Sequence, residues 1–219
     1  MIRIIDRTLV QLEAFDLSDA ALHEIADLLC LSGANYLEIS PAMYGRLQGV
    51  AGAQYILRLD TPQDARAFAE QTDIRRFVCK GRADTALRVY PEITVNDMRD
   101  FFTVERFRQC DRVRVYGLAD SVLQPLQKVF QNLRNAFEGT IEFCADNDCY
   151  CATSLTLQWV QQGGNEVVTS FFGMGSMAAF ENVTRLLYHL KGRRTRSAIA
   201  ALKRLEALMR KLLTECESA

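Results

Sequence analysis

Eight short β-rich runs, separated mainly by helical or connecting segments, constrain this chain more than any other feature. They are Ile2–Ile5, Tyr36–Ile39, Tyr55–Leu59, Phe77–Cys79, Leu87–Tyr90, Val113–Tyr116, Thr140–Phe143 and Glu166–Ser170. Helix signals punctuate them. Ser18 is placed as an N-cap, Leu17 can staple against Leu22, and Gly33 stops that helix after about Cys30. Thr61-Pro62-Gln63-Asp64 combines a cap, a proline at the first helical position and an acid two residues on. Further helices are expected over about 97–109, 122–137 and 154–161, the last stopped by Gly163-Gly164. Such alternation predicts an α/β fold, a compact (β/α)8 TIM barrel. The second to fourth crossovers are short, so some outer helices should be single turns or missing. A doubly wound parallel sheet is the alternative architecture.

Past Gly192 the pattern changes. Arg193, Arg194 and Arg196 form a basic cluster, after which Ile199, Leu202, Leu205, Met209 and Leu212 recur at helical spacing. The reading is a barrel domain over 1–192 and an amphipathic helix over 193–219, its apolar face on the barrel or on a partner.

With 219 residues, 49% hydrophobic and 24% charged, the chain can bury one substantial core. A formal net charge of -1 gives no global attraction for nucleic acid or an anionic membrane. No apolar run approaches the roughly 18 residues of a bilayer span. The N-terminus enters a strand pattern directly, which speaks against a cleavable signal. Cys30, Cys79 and Cys110 sit in apolar or helical surroundings, as expected of a reduced, cytoplasmic protein.

Three segments carry the candidate chemistry. The first is Ile5-Asp6-Arg7-Thr8-Leu9-Val10-Gln11-Leu12-Glu13, and the second is Cys144-Ala145-Asp146-Asn147-Asp148, followed by Ala152-Thr153-Ser154-Leu155. The third is Phe172-Gly173-Met174-Gly175-Ser176, after the last strand. Their order and spacing over roughly residues 1–190 resemble the superfamily of homocitrate synthase, isopropylmalate synthase and hydroxymethylglutaryl-CoA lyase. Its members are aldolase-type TIM barrels that bind a divalent metal. The resemblance lies at Asp6, Thr8, Leu9 and Glu13, against the family's Asp-Thr-Thr-Leu-Arg-Asp-Gly-Glu. It continues in Asn147-Asp148, against His-x-His-Asn-Asp, and in the glycine loop, against Asn-Gly-x-Gly-Glu.

The departures fall on the chemistry. Val10 stands where the family has its catalytic arginine and Gln11 where it has a metal-binding aspartate. Cys144 and Asp146 stand in place of the two metal-binding histidines. Phe172 and Ser176 replace the loop asparagine and glutamate. An isopropyl group cannot stabilise an oxyanion, so the family's acetyl-CoA condensation cannot run through these residues. The resemblance therefore implies a divergent homocitrate synthase-like or isopropylmalate synthase-like protein, a pseudoenzyme for the ancestral reaction, that binds a small oxo- or hydroxy-carboxylic acid. Two other readings stand beside it: a metal-dependent acyltransferase or lyase with a rebuilt site, and a non-catalytic subunit that binds a related enzyme or forms a homodimer.

For a rebuilt site, period-two alternation puts Cys144 and Asp146 on one face, and with Gln11 they could hold a divalent metal. A thiolate would favour Zn²⁺ or Fe²⁺ over Mn²⁺ or Mg²⁺. The competing reading makes Cys144 barrel filling and Asp146 and Asp148 caps for loop amides. Glu13 and Glu38 are the candidate acid and base. A buried Glu38 would need a cation, which Arg58 or Arg88 could supply. Gly173, Gly175 and Ser176 could cradle an anionic cofactor group through backbone N–H groups, unless Phe171, Phe172, Met174 and Met177 plug the mouth. His23 and His189 read as surface or helix-end residues.

Overall fold

In the computed structural model, which describes residues 2–217 apart from 49, 51 and 192–194, eight parallel strands close into a barrel in chain order. They are β1 (Arg3–Asp6), β2 (Tyr36–Ile39), β3 (Tyr55–Leu59), β4 (Phe77–Lys80), β5 (Val89–Val95), β6 (Arg112–Gly117), β7 (Thr140–Ala145) and β8 (Glu166–Thr169). β1 pairs with β2 on one side and β8 on the other, with Ile5 opposite Tyr36 and Val168. The helices are α1 (Thr8–Gln11), α2 (Asp19–Leu31), α3 (Pro41–Arg46), α4 (Asp64–Gln71), α5 (Phe101–Glu105), α6 (Leu126–Ala136), α7 (Ala152–Gln161), α8 (Phe180–Lys191) and α9 (Arg196–Glu217). The (β/α)8 barrel expected from the alternation is the fold.

The trimmed crossovers are real. α3 and α5 are short, and β4 reaches β5 through a turn with no helix. That connection, residues 81–88, can extend to about 27 Å, enough to return along a short strand. The helix expected over 97–109 is a 3₁₀ turn at Met98–Asp100 followed by α5. β5 runs past Pro91, where the sequence pattern had ended the strand. The proline is tolerated because the ladder to β6 begins only at Glu92, opposite Arg114.

Local signals explain the helices. The Ser18 hydroxyl accepts from the Ala21 amide at the start of α2, and Ser40 caps α3, which has Pro41 at its first position. Outward-facing strand residues meet apolar helix faces. On β7, Ile141, Phe143 and Ala145 point to the helices, and Phe143 forms an aromatic cluster with Phe130 of α6 and Trp159 of α7, ring centroids 5.4–5.5 Å apart. Ala201, Leu202, Leu205 and Met209 bury one face of α9 in this outer core, against α2. Ion pairs Arg204–Glu24 and Arg185–Glu206 flank that face. Arg193 and Arg194 lie outside the described residues. Among the described residues no helix is long and apolar enough to cross a membrane.

Candidate functional site

Period-two alternation decides what fills the barrel. An apolar set of Ile5, Ile56, Val78, Tyr90, Cys144, Val168 and Met177 lines its interior. The same faces carry charge above and below it. Reading each strand towards its C-terminal end gives Arg3-Ile5-Arg7, Tyr36-Glu38, Ile56-Arg58, Val78-Lys80, Tyr90-Glu92-Thr94, Arg112-Arg114-Tyr116, Glu142-Cys144-Asp146 and Glu166-Val168.

The charges form two linked layers. Towards the mouth, Arg7 Nε lies 3.1 Å from Glu38 Oε1 and Arg7 Nη1 3.3 Å from Glu92 Oε2. Arg58 bridges the same two carboxylates. Arg114, fully buried, joins the layers: it pairs with Glu38, lies 3.5 Å from Glu92 and 2.8 Å from Glu142. Below, Arg76 and Arg112 both span Glu142 and Glu166, and Arg3 reaches Glu166 at 2.9 Å. Tyr90 donates its hydroxyl to Glu142 at 3.1 Å. Burial alone would raise the Glu38 carboxyl, but Arg114, Arg7 and Arg58 outweigh it and hold it below the ordinary carboxylate range. Glu92 is likewise pulled against its burial, down to about 2, by Arg58, Arg7 and Arg114.

This geometry sorts the sequence-predicted residues. Glu38 is an ionised counterion locked among guanidiniums, a poor general base. Of the two expected partners Arg58 pairs with it, beside Arg7 and Arg114; Arg88 is exposed outside the barrel, because a left-handed backbone (φ 56) breaks the strand alternation there. Glu13 is exposed at the rim and accepts from Ser40 Oγ at 2.9 Å. Glu13 and Glu38 therefore occupy different environments, one solvated and one sealed.

Asp6 and Thr8, shared with the resembled motif, stitch the barrel closed. The buried Asp6 carboxylate accepts from the Thr8 amide at 2.9 Å and from Thr169 Oγ1 at 3.4 Å, and Thr8 Oγ1 accepts from the Phe171 amide at 2.7 Å. Arg7, between them, was not singled out by the motif comparison, which pointed to Val10. The Arg3-Ile5-Arg7 alternation is the signal that finds it. Glu92 and Arg114 were missed as well.

The glycine loop turns back over the barrel. Met177, 1% exposed, plugs the interior, and the main chain of Met177 bridges that of Asp146. Ser176 Oγ donates to Asp148 at 3.1 Å, and its carbonyl accepts from the Asn147 amide. The amides of Gly173, Met174 and Met177 bond to carbonyls within the turn, which takes Gly173 out of the expected anion cradle of Gly173, Gly175 and Ser176. The helix expected directly after this loop, α8, begins only at Phe180.

Gln11, Cys144 and Asp146 do not suit a divalent metal. The Cys144 thiol is fully buried in the apolar set, which pushes its pKa up to about 12 and makes giving up its proton to a metal costly. Gln11 lies against the glycine loop, where a Cβ on Gly175 (φ +67) would meet its carboxamide at 2.8 Å. Asp146 keeps one buried carboxylate oxygen without a hydrogen-bond partner, and burial followed by Asp148 raises its pKa. One orphaned oxygen beside a protonated thiol and a neutral amide is a weak donor set. Among the described residues no three His, Cys, Asp or Glu side chains gather to hold a metal ion.

Solved structures place this architecture. The N-terminal domain of a proposed aldolase from Bacteroides vulgatus aligns with a TM-score of 0.75 at 12% identity, over 99% of this chain and 88% of that one. Hydroxymethylglutaryl-CoA lyase from Pseudomonas aeruginosa aligns at 0.69 and 16% identity, over 95% and 93%. The carboxyl transferase domain of Rhizobium etli pyruvate carboxylase aligns at 0.74 and 14%, over 96% of this chain and 47% of that one. The chain shares their fold. No family model matches the sequence, and no curated protein does.

In this fold, chemistry belongs at the C-terminal ends of the strands. Here that end carries Lys80 and Thr94, both exposed, with Arg58 and Tyr116 half-buried beside them and Asp146 and Met177 closing the far side. Lys80 brings an exposed positive charge to the accessible half of the mouth, over β3 to β6, where Asp60 and Asp120 stand on the adjoining loops.

Proposed function

We propose that this chain is a divergent relative of the aldolase-type superfamily that includes hydroxymethylglutaryl-CoA lyase and the homocitrate and isopropylmalate synthases. It has lost acetyl-CoA condensation and binds a small oxo- or hydroxy-carboxylic acid at the barrel mouth without a metal. One observation carries this reading: in the mouth layer three guanidiniums, Arg7, Arg58 and Arg114, face two carboxylates, Glu38 and Glu92. Lys80 adds a further positive charge at the open side. A ligand carboxylate is the complement that layer lacks, and Thr94 and Tyr116 can offer hydroxyls to an adjacent oxo or hydroxy group. No group in the layer is suited to act as a base: both glutamates are held ionised by arginines.

Calorimetric titration with pyruvate, 2-oxoglutarate and malate, in the presence of a chelator, tests this. Binding that survives chelation and weakens about tenfold in Lys80→Gln is expected. Binding that requires added divalent metal, or no binding of any of the three, would overturn it.

A second reading, a non-catalytic subunit docking on a related enzyme, draws on Leu123 and Tyr150, each 94% exposed on neighbouring loops at the mouth end. A co-purified partner lost on Leu123→Ser and Tyr150→Ser would support that reading; a monomer with no partner in pull-downs would end it.

A further inference from the structure

Arg88 is strained where strain is avoidable. It stands at the entry to β5 with φ 56, in the left-handed region that a glycine or asparagine occupies more readily. Its side chain is exposed, and it makes no ion pair among the described residues. Strain kept at a long charged residue points to a use for its guanidinium.

Arg88 lines a cavity of about 350 Å³ at the N-terminal ends of β4, β5 and β6, the opposite end of the barrel from the mouth. Arg75, Arg76, Arg112 and Tyr90 share the wall, and Asp111 is the acid in it. Arg75 is braced at the rim by the carbonyls of Thr72 and Ile74, at 2.9 and 2.8 Å. Behind the wall, Glu142 and Glu166 are the counterions of Arg76 and Arg112. Arg3 draws on Glu166 as well, and Arg114 reaches down to Glu142 from the mouth layer. With Arg114 counted in the mouth layer, two carboxylates thus serve three guanidiniums before Arg75 and Arg88 are added, and the cavity faces the surplus.

We propose that this cavity binds the phosphate group of a small ligand. Planar guanidinium forks pair with phosphate oxygens through parallel N–H donors, and several arginines around one hollow match a dianion better than a single carboxylate. A second hollow of about 570 Å³ shares Arg75 and Arg76 and is walled by Tyr36, Tyr44 and Tyr55, with Arg76 stacked over Tyr36 at 4.1 Å. A phosphate in the arginine hollow could therefore belong to a nucleotide whose ring lies among the tyrosines, or be inorganic phosphate.

The test is titration of the full chain, at low ionic strength with a matched chloride control, with inorganic phosphate, ribose 5-phosphate and adenosine 5′-monophosphate. Tighter binding of the nucleotide identifies a ligand spanning both hollows, and equal binding identifies free phosphate; either supports the site. Arg88→Gly removes the fork and relaxes the left-handed turn. It should weaken phosphate binding about tenfold with a melting temperature equal to or above the parent's, which separates lost binding from lost fold. Three results would overturn the proposal: no binding of any probe, unchanged affinity in Arg88→Gly, or phosphate binding lost in Lys80→Gln but kept in Arg88→Gly, which would move the ligand to the mouth.

Discussion

Arg58 grips Glu92 with both terminal nitrogens, Nη1 at 2.9 Å from Oε2 and Nη2 at 2.6 Å from Oε1. This fork, planar group against planar group, joins β3 to β5 across the barrel and sets the level of the mouth layer.

The Glu92 carboxyl sits near 2 in the folded chain against an ordinary 4.5, so it stabilises the fold when ionised. That contribution is complete above pH 4.5 and disappears as pH falls towards 2. Glu92→Gln should lower stability at neutral pH by about 3 kcal/mol, because it leaves Arg58 and Arg7 short of a counterion. It should also flatten the acid limb of the stability curve. Urea unfolding at several pH values checks both; a variant with the parent's acid limb would show that other carboxylates carry it.

Asp6 gives the opposite sign. Burial raises its carboxyl from 3.8 to about 7, against the hydrogen bonds from Thr8 and Thr169. The folded state therefore holds a proton that the unfolded chain releases, and this contribution is full below pH 3.8 and lost as pH rises through 7. Asp6→Asn keeps an oxygen for the Thr8 amide and removes the titration. Its melting temperature relative to the parent should improve between pH 5 and pH 8, and a constant difference over that range would contradict the assignment.

Much of this was legible in the sequence, for physical reasons. Strand–helix alternation and capping chemistry are local, so the barrel, the Ser18 cap and the short crossovers could be read directly. The closed barrel's interior is non-local: which glutamate meets which arginine depends on register between strands far apart in the chain. Glu38 was seen to need a cation and Arg58 was among those named, yet Glu92 went unnoticed because the strand pattern stops at Tyr90, two residues short of it. Arg7 was hidden by a motif comparison that assigned the lost arginine to Val10, although alternation from Ile5 places it inward. The glycine loop follows the last strand as expected, but its internal hydrogen bonds, which use the Gly173 amide, and the inward turn of Met177 could not be read from its two glycines and serine.

Met177 is the lid over Cys144. Its side chain completes the apolar set that holds Ile5, Cys144 and Val168, and its backbone is bridged to Asp146. Met177→Ala should cost about 2–4 kcal/mol from the cavity it leaves and should open a path to the thiol. Cys144 in the parent should resist alkylation under native conditions, and the variant should label it at least several-fold faster, as read by mass spectrometry of the peptide. Equal labelling of the two would mean that the mouth is not sealed by this residue.

Arg114 tests whether the interior charges behave as one unit. It is fully buried and pairs with Glu38 and Glu142, with Glu92 at 3.5 Å. Removing it alone strands carboxylates that have no water to turn to, so Arg114→Met should destabilise the barrel by about 3–5 kcal/mol. Glu38→Leu alone should also cost several kcal/mol, since Arg114 and Arg7 would then lean on fewer anions. In the double variant each substitution removes the group that the other would have left uncompensated, so the combined loss should fall short of the summed single losses by about 1–3 kcal/mol. A catalytic Glu38 would show little coupling to Arg114 in stability and a large effect on turnover. A structural Glu38 shows the reverse, and a double-mutant cycle by denaturant unfolding separates the two, provided each protein keeps the parent's m-value.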